Sequence, residues 1–301
     1  MTRPTPGAGR FAPSPSADLH IGNLRTAMLA WLFARSTGRS FLMRVEDLDD
    51  RTHDDVAQRQ LDDLAAIGVT WDGEPQWQSR QRERYDTAIA GLVQRDLVYE
   101  CYCSRKDILS APRAPHAPEG AYPGTCRDLS VAERAAKRET GRPPALRLRA
   151  EAREFTVTDV IHGRYTGVVD DFVLRRGDGV PAYNLAVVVD DAHSGIDQVV
   201  RGDDLLASAP RQAYLAGLLG NPQPEYAHVP LVLNLEGKRL AKRDGDVTLA
   251  ELGVARTFAL ITESLGWPSS DMTELLRHFD PARLPREPWV YQPPHSHRPS
   301  W

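Results

Sequence analysis

Leu24, Ala27, Met28, Trp31 and Leu32 recur at helical spacing near the start of the chain and predict a helix from about Gly22 to Thr37-Gly38, where glycine suits a C-terminal cap. Residues 8–13 ahead of it read as a short strand running into a loop, APSPSADLHIGN. The segment SFLMRVEDLDD after it reads as a buried strand ending in acidic residues. Residues 53–67 and 80–95 carry two further amphipathic helical patterns. Strand, helix, strand, helix at this spacing predicts parallel strands joined by crossover helices. From 101 to 126 the chain turns rich in Pro, Ala and Gly, as an inserted loop would, and short strands around 144–174 read as a small inserted α/β subdomain. Helical pattern returns at 183–193 and 203–219, and the tail PREPWVYQPPHSHRPSW is proline-rich and reads as irregular.

Composition narrows the class. The 301 residues are 41% hydrophobic and 26% charged, as in an ordinary globular protein. No stretch approaches the roughly 18 apolar residues of a membrane helix. The opening MTRPTPGAGRFAPSPS lacks the apolar run of a secretory signal. A cytoplasmic protein with no membrane partner is expected. The net charge of -4 supplies no global field for nucleic acid. A local basic stretch, Arg134, Lys137, Arg138, Arg142, Arg147 and Arg149, reads most simply as a solvated helix face followed by a strand. The three cysteines, Cys101, Cys103 and Cys126, are odd in number and crowded into one window, which argues against a disulfide framework. Reduced thiolates at this spacing suit zinc, which prefers four ligands in a tetrahedron.

Two segments carry candidate chemistry. At the first, a helix N-terminus offers backbone N–H groups and a positive dipole end to a phosphate. His20 adds a donor, Gly22 permits close approach of a planar ligand, and Ser14 and Ser16 are placed to cap turns or bind ligand. The second is the loop 236–245, EGKRLAKRDG, where Lys238, Arg239, Lys242 and Arg243 can close on a triphosphate and neutralise a departing pyrophosphate. It lacks the glycine spacing of a Walker A loop.

Together, HIGN and RLAKR resemble the two ATP-binding motifs of class I aminoacyl-tRNA synthetases. RFAPSPSADLHIGNLRTAMLAWLFAR resembles the start of the glutamyl-tRNA synthetase branch, and RVEDLDDRT, AYNLAVVVDDAHSGIDQVVRGDDLL and the 236–245 loop follow in that branch's order, over roughly residues 8–250. Asn23 departs from the second histidine of the first motif, and Arg239 and Ala241 from a usual lysine and serine; Lys242 is kept. The resemblance implies an α/β fold: a Rossmann-like parallel-sheet catalytic domain in two halves, 1–100 and 196–250. An inserted zinc-bearing subdomain at 101–195 and a short helical region with an irregular tail at 251–301 complete it.

The same resemblance implies the site. His20 and Lys242 are the expected catalytic groups, and Gly22, Asn23, Arg239 and Arg243 join them around ATP, supplied with Mg²⁺. Glutamate has two carboxylates and one ammonium, so it needs cationic forks and an anion. Arg10 and Arg201 are expected on the carboxylates and Glu46 on the ammonium, with Ser14, Tyr183 and Asn184 completing the hydrogen bonds. For the cysteine window the resemblance adds Tyr122 as fourth zinc ligand, with His116 as the chemically more usual substitute; one structural zinc per chain is expected.

The 58 residues after Arg243 are too few for a large helical anticodon-binding region. The chain therefore resembles the truncated paralogues of the branch, which activate glutamate without tRNA and attach it to queuosine in tRNA(Asp). A monomer is expected. Two other readings stay open from the residues: a truncated synthetase charging the tRNA 3′ end, and an inactive RNA-binding paralogue.

Overall fold

The computed structural model describes residues 7–110, 122–240, 244–245 and 247–293. In chain order the elements are β1 (Ala8–Phe11), α1 (Ile21–Ser36), β2 (Ser40–Val45), α2 (Asp54–Ala66), β3 (Gln76–Trp77), α3 (Arg82–Gln94), β4 (Val98–Cys101), α4 (Arg105–Ser110) and α5 (Val131–Glu139). Then come β5 (Ala145–Leu148), β6 (Glu154–Asp159), β7 (Gly163–Val168), β8 (Val173–Arg175), α6 (Tyr183–His193), β9 (Ile196–Gly202), α7 (Ala209–Leu218) and β10 (Glu225–Val229). The chain closes with β11 (Val232–Leu233), α8 (Leu249–Leu252), α9 (Val254–Ser264), α10 (Met272–His278) and β12 (Trp289–Val290).

The main sheet has seven strands in the order β3-β2-β1-β9-β10-β6-β7. All neighbours in it run parallel except the β6–β7 hairpin. The chain builds outward from β1 on one side and from β9 on the other, so the order reverses between these two strands. In such sheets the crevice at the C-terminal strand ends, beside the reversal, is where ligands bind.

Helix α1 crosses over the reversal and is buried nearly all round, as its apolar residues on every face require. It lies on β1 and β9 and is covered by α9 and α10. Helix and strand approach so closely that a Cβ on Gly9 would stand 2.8 Å from the Cβ of Ala34. Leu24, Met28 and Leu32 in α1 join Phe41, Val200, Ile261 and Leu275 in the largest core cluster.

The sequence reading holds for α1, α2, α3 and α6 to within a few residues. Three expectations change. The hairpin β6–β7, read as part of a small inserted subdomain, extends the main sheet through the parallel pairing of Tyr226 with Asp159. The separate antiparallel sheet consists of β4, β5 and β8 alone. The helix read over 203–219 is a 3-10 helix, Asp203–Ser208, followed by α7, whose first turn begins at Ala209-Pro210. Proline lacks an N–H, so it suits the start of a helix and not its middle. The tail, read as irregular, is tied down as far as it is described: β12 pairs with β11, and Tyr291 is 1% exposed.

The basic stretch is a helix followed by a strand, as read. Arg138 pairs with Glu100 and Arg149 with Asp128, while Arg147 is buried. No helix among the described residues is long and apolar enough to cross a membrane.

Candidate active site

A cleft of about 740 Å³ opens at the C-terminal ends of β1 and β9. Of the residues singled out from sequence, Arg10, Ser14, Ser16, His20, Gly22, Asn23, Glu46, Tyr183, Arg201 and Arg239 line it. Asn184 stands behind the lining. Lys242 and Arg243, with Ala241, lie outside the described residues, as does His116.

His20 caps α1. Its Nδ1 accepts hydrogen bonds from the backbone N–H of Gly22 (3.1 Å) and Asn23 (3.2 Å), and Asn23 Oδ1 accepts from the His20 N–H (3.2 Å). The Ile21 N–H donates to the Val247 carbonyl at 2.7 Å. The helix start is therefore already satisfied by protein, which corrects the expectation that its bare N–H groups meet a phosphate. Histidine takes their place. Burial, and behind it the charge of Arg239, lowers its pKa from 6.5 to about 4. A neutral ring whose Nδ1 accepts must carry its proton on Nε2, so His20 offers one fixed N–H donor. Gly22 answers to the same ring: a Cβ there would lie 2.9 Å from His20 Cε1. The close approach seen in the structure is that of the imidazole, and Gly22 also lines the cleft.

Beside β1 and β2 lies a buried charge network. Arg10, 5% exposed, spreads Nε (3.2 Å) and Nη2 (3.5 Å) on the two oxygens of Asp191. Arg44 donates to Asp191 at 2.6 Å and to Glu46 at 3.2 Å, and lies 3.9 Å from Asp190. Gln78 and Tyr85 each donate to Asp190 at 2.8 Å. Burial works against the charge on Arg44, but Asp191, Glu46 and Asp190 outweigh it and raise its pKa. Burial raises the carboxyls of Glu46 and Asp190, only partly offset by Arg44. With all three acids ionised, three against two arginines leave this end short of one positive charge. A substrate ammonium beside Glu46 would supply it.

Arg201, also 5% exposed, is held differently. Nε donates to His228 Nε2 (3.0 Å), Nη1 to Gln212 Oε1 (2.7 Å) and the Tyr183 hydroxyl (3.3 Å), and Nη2 to the Leu205 carbonyl (3.4 Å). Gln212 in turn donates to Asn184 Oδ1 at 3.0 Å, so Asn184 acts on the cleft through Gln212. Among the described residues no carboxylate comes within ion-pair distance of Arg201. A buried guanidinium without a partner anion is a site for one.

Sequence reasoning missed Arg44, Asp190, Asp191, Gln212 and His228. The acidic pair was visible, because two aspartates in VVVDDAH sit on an otherwise apolar helix and need buried partners. It also missed Gln60 on α2, whose Nε2 donates to the Ser14 (3.1 Å) and Ala17 (2.6 Å) carbonyls and so shapes the wall that carries Ser14. Across the mouth, Arg239 pairs with Asp204 at 2.6 Å. Asn234 accepts from the Glu236 and Lys238 amides and donates to Asp244, which organises the root of the basic loop.

A second cluster lies at the small sheet. The sulfurs of Cys101, Cys103 and Cys126 all fall within 4.8 Å of one another. Cys103 and Cys126 are 3.6 Å apart, close to the edge of about 3.8 Å that tetrahedral zinc–sulfur bonds would set. The Tyr122 oxygen lies 3.3 Å from Cys101 Sγ and 3.7 Å from Cys103 Sγ, and accepts from the Cys126 N–H at 2.8 Å. Arg147 sits over the Tyr122 ring, 3.7 Å from its centroid. Burial first, then the neighbouring thiols, pushes Cys103 up to about 12, a cost that a cation between the sulfurs removes. The donor set and its spacing fit zinc.

The family model described as the catalytic domain of class I tRNA synthetases (E and Q) matches residues 8–284. A Nocardia farcinica protein named glutamyl-Q tRNA(Asp) synthetase is 66% identical over 94% of this chain and 93% of its own length. A Cutibacterium acnes protein of the same name is 48% identical over 90% of this chain and 80% of its own. Among solved structures, the glutamate-tRNA synthetase of Elizabethkingia anophelis matches with a TM-score of 0.80 at 27% identity, over 95% of this chain and 68% of that one. The glutamate tRNA ligase of Elizabethkingia meningosepticum, solved in complex with its amino acid, matches with a TM-score of 0.79 at 26% identity, over 95% and 67%.

Proposed function

The chain belongs to the class I glutamyl and glutaminyl tRNA synthetase family, in its glutamyl-Q tRNA(Asp) synthetase group, and from that membership we propose that this ligase activates L-glutamate with ATP before any tRNA binds, then transfers it to queuosine in tRNA(Asp). The observation that carries the reading is Arg201, a buried cation with no carboxylate partner among the described residues, in one cleft with Glu46 and His20. An acidic amino acid supplies what that cleft lacks at each end. A carboxylate meets Arg201 and Arg10, and the ammonium meets Glu46. Ser14 and Tyr183 complete the hydrogen bonds, while Asn184 keeps Gln212 against Arg201.

The chemistry needs no side-chain base. The α-carboxylate is already an anion: its oxygen attacks the α-phosphorus of ATP in line, a new P–O bond forms, and the bond to the bridging oxygen breaks to release pyrophosphate. Catalysis is then alignment plus charge stabilisation. His20 donates its Nε2–H towards the phosphates, with Gly22 and Asn23 fixing the ring. Arg239, Lys242 and Arg243 offset the charge of the departing pyrophosphate, delivered as part of magnesium-bound ATP. In the second step a queuosine hydroxyl oxygen attacks the acyl carbon, an ester bond forms, the bond from that carbon to the phosphate oxygen breaks, and AMP leaves as the phosphate or solvent takes the hydroxyl proton. A structural zinc, when bound, would be held by Cys101, Cys103, Tyr122 and Cys126 and would pin the segment between β4 and α5. A cytoplasmic monomer belongs to the same reading.

The test is where the label goes. Radiolabelled glutamate, ATP and tRNA(Asp) with or without queuosine are incubated with the enzyme, and the RNA is cleaved into anticodon and acceptor fragments. The expected result is label on the anticodon fragment of queuosine-containing tRNA alone. Label at the 3′ end would overturn the proposal.

A further inference from the structure

Two of the groups that aim Arg201, His228 and behind it Asp159, do not line the cleft. The arginine lies on β9, directly across the strand pair from His228 on β10, while Asp159 ends β6 on the far side of β10. The side chains of His228 and Asp159 are fully enclosed. Asp159 Oδ1 accepts from the Ile161 (2.8 Å) and His162 (2.9 Å) amides. Its Oδ2 accepts from the His228 amide (3.0 Å) and faces His228 Nδ1 at 2.6 Å. That contact needs the proton on Nδ1, which leaves the Nε2 lone pair to accept from Arg201 Nε at 3.0 Å.

We infer that His228, oriented by Asp159, is a positioning residue that sets the tautomer-dependent aim of Arg201 at a substrate carboxylate. The inference deepens the proposed function and rests on it. Its physical content is the contrast with Arg10. There a carboxylate sits directly on the guanidinium and takes up two of its donors. At Arg201 the buried carboxylate stands one imidazole away, so it compensates the cation through a polarised ring while occupying only Nε. Among the described residues the buried arginine thus has no carboxylate on its own fork, and beside the neutral partners on Nη1 and Nη2 one Nη2 N–H stays open. His162, which shares a hydrogen bond with the His228 carbonyl at 3.0 Å, and Tyr226, stacked on the His228 ring at 5.8 Å, close the remaining sides.

The experiment is tRNA-free, glutamate-dependent ATP–pyrophosphate exchange on the full-length protein, with His228→Phe and His228→Gln compared. Phenylalanine fills the space but offers no acceptor, whereas glutamine returns an oxygen near the Nε2 position. His228→Phe should raise the glutamate KM by about tenfold or more while the ATP KM stays within about twofold, and His228→Gln should recover most of the loss. Equal rises in both KM values, or no recovery with glutamine, would mean a merely structural residue and overturn the inference. In parallel, nitrogen NMR of the native protein should find His228 neutral with its proton on Nδ1; a proton on Nε2 would overturn it even where a variant fails to fold. Native protein that gives no exchange overturns the functional reading and the inference with it. Native exchange with an unchanged glutamate KM in His228→Phe overturns the inference alone.

Discussion

At the residue scale, His20 shows how much one side chain can settle. The motif HIGN marked it as a phosphate-facing group, but its charge was open between neutral and positive until its partners were seen. Two backbone N–H groups point at Nδ1, and burial lowers its pKa from 6.5 to about 4. The sign of the consequence follows. Between those two values the unfolded chain holds a proton on His20 that the folded chain refuses, so stability from this site is present above 6.5 and is lost as pH falls towards 4. Melting temperatures recorded through that window should fall more steeply for the native protein than for His20→Asn; parallel curves would remove the assignment of a neutral ring. Arg10 teaches the opposite lesson. The family resemblance set it on a substrate carboxylate, and in the fold its two-pronged partner is Asp191, 181 residues away, a pairing no local pattern encodes.

At the element scale, helices with clean apolar periodicity were legible, and α6 falls on the residues read for it. Strand partnership was not, because a short strand carries the same alternation whichever sheet it joins. The β6–β7 hairpin joins the main sheet, where the end of β6 holds Asp159 against His228 on β10. The cysteine window was legible as a cluster, with Tyr122 added only through family resemblance, and the fold brings all four donor groups together. Purified protein should therefore contain about one zinc per chain. Cys103→Ser should lower that content and the melting temperature while exchange activity largely persists, since none of the four donors lines the cleft. Metal analysis that finds no zinc in the unsubstituted protein would remove the site.

At the scale of the whole molecule, the ordered motifs along the chain were enough to read a parallel sheet with its ligand cleft at the strand ends. The order reversal between β1 and β9 places Arg10 and Arg201 at those ends. What could not be read was the division of labour between the two arginines, which depends on partners drawn from α6, α7, β6 and β10. Arg10 carries a carboxylate directly on its fork, whereas Arg201, among the described residues, meets neutral partners with one Nη2 N–H left open. On the function proposed above, a cleft built this way would select an acidic amino acid by charge and would need no RNA to complete it. ATP–pyrophosphate exchange without tRNA, run in turn with glutamate, glutamine and aspartate, tests this most directly. Exchange with glutamate alone is the predicted result; exchange that requires tRNA, or that glutamine supports as well as glutamate, would contradict it.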